Sequence, residues 1–231
     1  MKFAIIAAGE GSRLAQEGVK APKPLIKLQG VPIIERLVKI FVANSAESIS
    51  IITNTRQPET VELLEELKKS YPIDIVVKDT PSSMHSLHAL APLLEGDRFC
   101  LTTVDTLFRE DEFAEYIKLF KKSDEGLMAV TDFIDDEKPL YIETDSNMEI
   151  TEFCDNATEK TKYISGGIYG LMPQALEILE LCMTEGTHRM RNFQRRLVKE
   201  GVRLKAYPFS KIIDIDHAKD IGKAEEFLKT V

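Results

Sequence analysis

Through its first 131 residues the chain alternates short apolar runs with segments of helical period. Phe3 to Ala8, Ser48 to Thr53, Ile73 to Val77, Arg98 to Thr103 and Leu127 to Thr131 read as strands. Between them, Ile33, Ile34, Leu37, Val38 and Phe41 predict a helix over 31–44, with Pro32 in its first turn. Pro58 opens a second helix to about Lys69. Ser86 to Leu94 is a short third, and Phe113, Ile117 and Phe120 mark a fourth from about Glu110 to Lys121. Continuous apolar strands between amphipathic helices predict an α/β fold with a mainly parallel sheet covered on both faces.

After 131 the rhythm changes. Leu140 to Glu143, Glu149 to Phe153 and Tyr163 to Leu171 read as strands with no helix between them, and 145–147 is a turn. They predict a more antiparallel extension of the sheet, so that the mixed sheet stays mainly parallel. Helices follow at 173–182 and 191–200, strands at 202–207 and 212–215, and a last helix at 217–229. The chain reads as one domain, 1–231. The change of rhythm divides it into two halves, 1–131 and 132–231.

The glycines change the picture from fold to chemistry. Strand one stops at Gly9 and Gly11, and Ser12 and Arg13 follow at once. Glycines after a buried strand let backbone N–H groups approach an anion closely. Arg13 and Lys23 can add charge-assisted hydrogen bonds to phosphate oxygens. Pro22 and Pro24 stiffen the backbone on both sides of Lys23. The whole chain carries a formal charge of −8, yet residues 1–30 hold five basic residues against two acidic ones, a net +3. A basic island on an acidic protein predicts a small anionic ligand rather than nucleic acid. Lys20 and Lys27 read as solvated loop charges.

No apolar run approaches the ~18–20 residues of a membrane span. The N-terminus leads directly into a strand, so no secretion signal is read. Cys100, Cys154 and Cys182 are odd in number and unclustered, which predicts a reduced, cytoplasmic setting. Homo-oligomerisation is left open. In parallel sheets ligands bind at strand carboxyl ends. The Gly9 loop and Asp105 both fall there, and so are expected to face one crevice. Two familiar nucleotide motifs fail. Leu14 stands where a dinucleotide fingerprint needs its third glycine, the strand ending at Asn54 offers no ribose-binding acid, and no Gly-Lys-Ser/Thr is present.

What fits is a compound pattern: Ala7-Ala-Gly-Glu-Gly-Ser-Arg-Leu14, then Pro22-Lys-Pro-Leu25, then Gly30-x-Pro32. It closely resembles the signature of the sugar-phosphate nucleotidyltransferases, such as glucose-1-phosphate thymidylyltransferases and mannose-1-phosphate guanylyltransferases. The bacterial choline-phosphate cytidylyltransferases share it. The resemblance implies a Rossmann-like three-layer sandwich of the nucleotide-diphospho-sugar transferase type. Its reaction joins a nucleoside triphosphate to a phosphorylated acceptor and releases pyrophosphate. With no long stretch after the transferase core, a second, β-helical acyltransferase domain is not expected.

By that resemblance Ala7, Ala8 and Gly9 lie against the base and ribose, and Gly11 and Ser12 cradle phosphates. Arg13 holds the leaving pyrophosphate, and Lys23 binds near the reacting α-phosphate. The reaction calls for a hard divalent cation, Mg²⁺. Asp105, just past the run Cys100 to Val104, takes the role of a metal ligand. For the second ligand, similarity to the sugar-phosphate branch prefers Asp214, and Asp216 fits branches with the shorter spacing equally well; a strand would point both to the same side, and one of the pair can instead cap the last helix.

Thr80 to Leu87 occupies the base-recognition position. Ser82, Ser83 and Ser86 stand where many sugar-phosphate members have a glutamine and a glycine turn, which is closer to the cytidylyltransferases. The base, and the choice between a sugar 1-phosphate and phosphocholine, stay open. Tyr163-Ile-Ser-Gly-Gly-Ile-Tyr169 resembles the acceptor-side strand. Gly166 and Gly167 there would allow close approach, and Lys160 or Lys162 would meet the acceptor phosphate. His188, Arg189, Arg191 and Arg195 form a basic cluster that is either a solvated helix face or a phosphate contact. His85 and His88 lack a third ligand for zinc. A non-catalytic nucleotide sensor is the competing reading of another class.

Overall fold

The computed structural model describes residues 1–135 and 138–229. In chain order it begins with β1 (Lys2–Ala7), α1 (Ser12–Gln16), a 3₁₀ turn at Lys23–Leu25, β2 (Lys27–Leu28), β3 (Val31–Pro32) and α2 (Ile33–Ala43). Next come β4 (Ser48–Thr53), α3 (Pro58–Lys68), β5 (Ile73–Val77), α4 (Ser83–Leu94), β6 (Phe99–Thr103), β7 (Thr106–Leu107) and α5 (Glu110–Phe120). Then follow β8 (Gly126–Thr131), β9 (Tyr141–Thr144), β10 (Ile150–Cys154), β11 (Tyr163–Leu171) and α6 (Gln174–Thr184). The chain closes with α7 (Met190–Lys199), β12 (Leu204–Pro208), β13 (Ile213–Asp214) and α8 (Ala218–Lys229).

β1 shows why the layers form. Phe3, Ile5 and Ala7 point into one core, and Ala4 and Ile6 into another, with Ala8 just beyond the strand. A strand buried on both faces has to lie inside a sheet covered on both sides. On the first face lie Leu37, Val38 and Phe41 of α2, Phe113 and Phe120 of α5, and Ala224 and Phe227 of α8. On the second lie Leu87, Leu90 and Leu94 of α4, Leu179 and Cys182 of α6, and Phe193 and Leu197 of α7. The main sheet runs β10-β9-β11-β6-β1-β4-β5, and β8 pairs both β11 and β12. β1, β4, β5 and β6 are mutually parallel, whereas β11 is antiparallel to β6, β8 and β9. One sheet therefore joins residues 1–131 to those after them.

The sequence-predicted elements recur with several differences. The helix expected over 31–44 begins at Ile33, after Val31 and Pro32 pair as β3. α4 starts at Ser83, not Ser86, because extended Ser82 precedes it and Met84 is already buried in the core. The strand expected over 212–215 shrinks to two residues, and it pairs with β7 rather than the main sheet. The short α1 and the β2–β3 hairpin carry no periodic signal in five and two residues. Among the described residues, no helix is long and apolar enough to cross a membrane.

Candidate active site

The carboxyl ends of β1, β4 and β6 open on one cleft of about 590 Å³. Ala8, Gly9, Gly11, Lys23, Ser82, Ser83, Ser86 and Asp105 line it, together with Glu10, Arg56 and Thr80. Ala7 stays in the core, 1% exposed. Ser12 borders an adjoining hollow with Gly11 and Lys23. Gly11 has φ +63, and a Cβ there would come 3.4 Å from Lys23 Cβ. The glycine is needed for the left-handed turn, and the lysine segment passes at ordinary contact distance.

Lys23 is the centre of the site. Its Nζ donates to Asp105 Oδ2 and to Asp216 Oδ1, at 2.7 Å each. Arg13 Nη1 donates to Asp216 Oδ2 at 3.1 Å. Burial works against the lysine's charge, but Asp105 and then Asp216 outweigh it and hold Lys23 well above the ordinary lysine range. Burial likewise raises Asp105, and the Lys23 ammonium more than reverses that, so its carboxyl stays below the usual carboxylate range. Two acids and an ammonium, with Arg13 on the rim, thus face the glycine loop.

The second acid separates from its neighbour. β13 ends at Asp214, so Asp216 lies in the turn beyond the strand and not on its alternate position. Asp214 Oδ1 accepts from Thr106 Oγ1 at 3.2 Å, whereas Asp216 reaches Lys23. The Asp220 carboxylate shapes that turn by accepting from the Asp216 and His217 N–H groups, at 3.3 and 2.9 Å. Ile215 N–H donates to Asp105 O at 3.1 Å and ties the two acid-bearing loops together. Two carboxylates converging on one cationic centre make a set of hard oxygen donors, which fits a divalent cation such as Mg²⁺.

On the base side, Ser86 is 1% exposed. Its hydroxyl is engaged with Thr80 Oγ1 at 2.6 Å and Ser82 O at 3.3 Å. Ser82 Oγ meets His85 Nδ1 at 2.8 Å, and His88 Nε2 meets Glu180 at 2.8 Å. Burial, with His188 and His88 adding, holds His85 below the ordinary histidine value. An unfolded chain therefore takes up a proton first as pH falls through ~6.5. His85 is expected to make the protein lose stability below that pH until its folded value is passed. Thermal unfolding between pH 7.5 and 5.5 checks this, and a His85→Asn protein should show a flatter profile.

On the expected acceptor side, the two glycines have a packing role of their own. The positions that side chains on Gly166 and Gly167 would take are filled by the protein itself. A Cβ on Gly166 would meet Ile212 Cδ1 at 2.2 Å, and one on Gly167, at φ +72, would meet Thr106 Oγ1 at 2.8 Å. These glycines let β11 pack against the 212–214 segment and the Thr103–Thr106 pair. Gly166 does border a hollow shared with Arg13, Asp214 and Asp216. Neither Lys160 nor Lys162 lines it, and the Lys162 ammonium lies 5.1 Å from the Tyr163 ring centre.

Two residues escaped the sequence reading. Asn54 and Gln57 are 3% and 5% exposed. Asn54 Nδ2 donates to Ala8 O at 3.1 Å and Gly9 O at 3.4 Å, and Gln57 Nε2 donates to Gly9 O at 3.0 Å. Their amides clamp the loop from behind. The available signal was the end of the adjacent strand, where an acid was sought and an amide stands. Gln57→Ala should destabilise the protein by about 1–3 kcal/mol, as expected when a buried carbonyl loses a donor. Denaturant unfolding checks it.

A glycine loop and Asp105 at the carboxyl ends of parallel strands, joined through Lys23 to Asp216 in the turn beyond β13, define an α/β protein with an anion-handling cleft. More particularly, the chain belongs to the nucleotidyl transferase family, whose model matches residues 2–231. It is 30% identical over 189 residues to a mannose-1-phosphate guanyltransferase of Schizosaccharomyces pombe, covering 78% of this chain and 52% of that one. Its fold is similar to that of an inositol-1-phosphate CTP transferase from T. maritima, with TM-score 0.81 and 17% identity over 99% of this chain and 94% of the other. The CTP:phosphocholine cytidylyltransferase of Streptococcus pneumoniae superimposes with TM-score 0.77 and 19% identity over 98% of each chain. The chain spans about half the length of the curated relatives it matches.

Proposed function

We propose that this chain is a Mg²⁺-dependent nucleotidyltransferase that joins a nucleoside triphosphate to a phosphorylated acceptor, a sugar 1-phosphate, and releases pyrophosphate. The observation that carries the reading is Lys23 bridging Asp105 and Asp216 beside the glycine loop. An acceptor phosphate oxygen attacks the α-phosphorus, and the bond from that phosphorus to the bridging oxygen of the pyrophosphate breaks. Attacking and leaving groups are both anionic, so the protein's task is positioning and charge neutralisation. The loop of Gly9, Gly11 and Ser12 receives the phosphates. Arg13 takes charge on the departing pyrophosphate, and Lys23 does so at the α-phosphate. Asp105 and Asp216 would hold the cation, which neutralises phosphate charge when bound. Residues 132–231 supply the acceptor side, and unpaired Cys100, Cys154 and Cys182 suit a cytoplasmic setting.

A cytidylyltransferase acting on phosphocholine or a similar phospho-alcohol is the second reading. It is favoured by Ser82 and Ser83 on the base side of the cleft. A matrix of four ribonucleoside triphosphates and dTTP against sugar 1-phosphates and phosphocholine tests both, with Mg²⁺ and with chelator. The expected result is metal-dependent pyrophosphate release in one base and acceptor pairing. Triphosphate binding with every pairing blank would favour a sensor instead.

A further inference from the structure

The turn that lines the nucleotide cleft is joined to a second cleft by a pair of histidines. His85, in the first turn of α4, stacks on His188 with ring centroids 5.4 Å apart and planes 17° apart. His188 lines a cleft of about 670 Å³, open between the β9–β10 edge and the start of α7. Among the described residues its charged lining is Lys138, Arg189, Arg191 and Arg195 against Asp155. On a chain of net charge −8 this is a local excess of positive charge.

Two of the guanidiniums are fixed in advance. Arg191 Nη1 and Arg195 Nη2 share Asp155 Oδ1 at 2.7 and 2.8 Å. Arg191 Nη2 also donates to Lys138 O at 3.0 Å, and Arg195 Nε to Phe153 O at 2.9 Å. One carboxylate cannot neutralise both. Arg189 differs: it is exposed, stands at φ +73, and among the described residues its guanidinium forms neither a hydrogen bond nor an ion pair. It precedes the first turn of α7, whose N-terminal end favours negative charge in the same cleft. Preorganised guanidiniums beside a free one are the chemistry of phosphate and carboxylate recognition.

We propose that the Arg189 cleft binds a small molecule bearing a phosphate or carboxylate group, as an anionic end of the acceptor or as a separate effector. The acceptor source rests on the transferase reading; the binding site does not. A cationic head such as trimethylammonium would meet repulsion from the same arginines.

The test is calorimetric titration of glucose 1,6-bisphosphate into the full chain and its Arg189→Glu, Arg189→Lys and Lys23→Met proteins. Affinity should fall about 10- to 100-fold in Arg189→Glu, the scale of a lost charge-assisted contact. It should be largely kept in Arg189→Lys and in Lys23→Met. Equal affinity in wild type and Arg189→Glu would overturn the proposal, as would no binding to wild type. Loss of binding in Lys23→Met would overturn it too, by placing the ligand in the nucleotide cleft. Pyrophosphate release then identifies the source. If the bisphosphate is consumed and Arg189→Glu raises its KM at constant kcat, it is the acceptor. If it is not consumed but shifts KM for the triphosphate, it is an effector. Binding that depends on Arg189 with no turnover of any acceptor supports the cleft and counts against the transferase reading.

Discussion

A Lys23→Met protein is expected to lose on the order of 10²–10³ in the rate of pyrophosphate release, the scale for removing one preorganised charged donor from a reacting centre. The ammonium is 2.7 Å from both Asp105 and Asp216 and its side chain is 11% exposed, so solvent cannot replace it. The substitution also takes the Lys23 cation from Asp105 and leaves Asp216 with Arg13 on its other oxygen. The melting temperature should therefore drop, and added Mg²⁺ should recover more of it in Lys23→Met than in wild type. Kinetics and thermal unfolding together separate a lost catalytic charge from a misfolded chain. Full activity in Lys23→Met would remove the proposed role.

The second large effect distinguishes the three acids. Asp105→Asn and Asp216→Asn are each expected to cost at least about 10² in kcat/KM, since each removes a charged group from the transition-state surroundings. Asp214→Asn should cost about tenfold or less. Its carboxylate is tied to Thr106, so it acts on the site through β7 and β13, and outer partners of that kind weigh less than direct ones. Mn²⁺ titration in the presence of triphosphate gives a readout independent of turnover. It should weaken strongly in the first two proteins and little in the third. The reverse order, with Asp214→Asn the most damaged, would make Asp214 the direct ligand.

Much of this was legible in the chain because it is local. Phe3 to Ala8 is buried on both faces and ends in glycines, which gives both a central strand and a loop at its carboxyl end. Asp105 follows an apolar run in the same way. Asp216 was not separable from Asp214, because the deciding fact is a turn fixed by Asp220 N-terminal to and within α8. Asn54 and Gln57 were missed because their partners are backbone carbonyls 45 to 48 residues away, which leave no trace in spacing. The packing role of Gly166 and Gly167 was hidden for the same reason: only the fold shows that Ile212 and Thr106 lie where a side chain would go.

The most direct test of the central claim follows the label of a triphosphate carrying ³²P at the α or the γ position, in the base and acceptor pairing found active. Nucleotidyl transfer requires the α-label to appear in the nucleotide-linked acceptor and the γ-label in pyrophosphate, with both signals lost on chelation. Release of γ-label as inorganic phosphate, or its transfer to the acceptor, would contradict it.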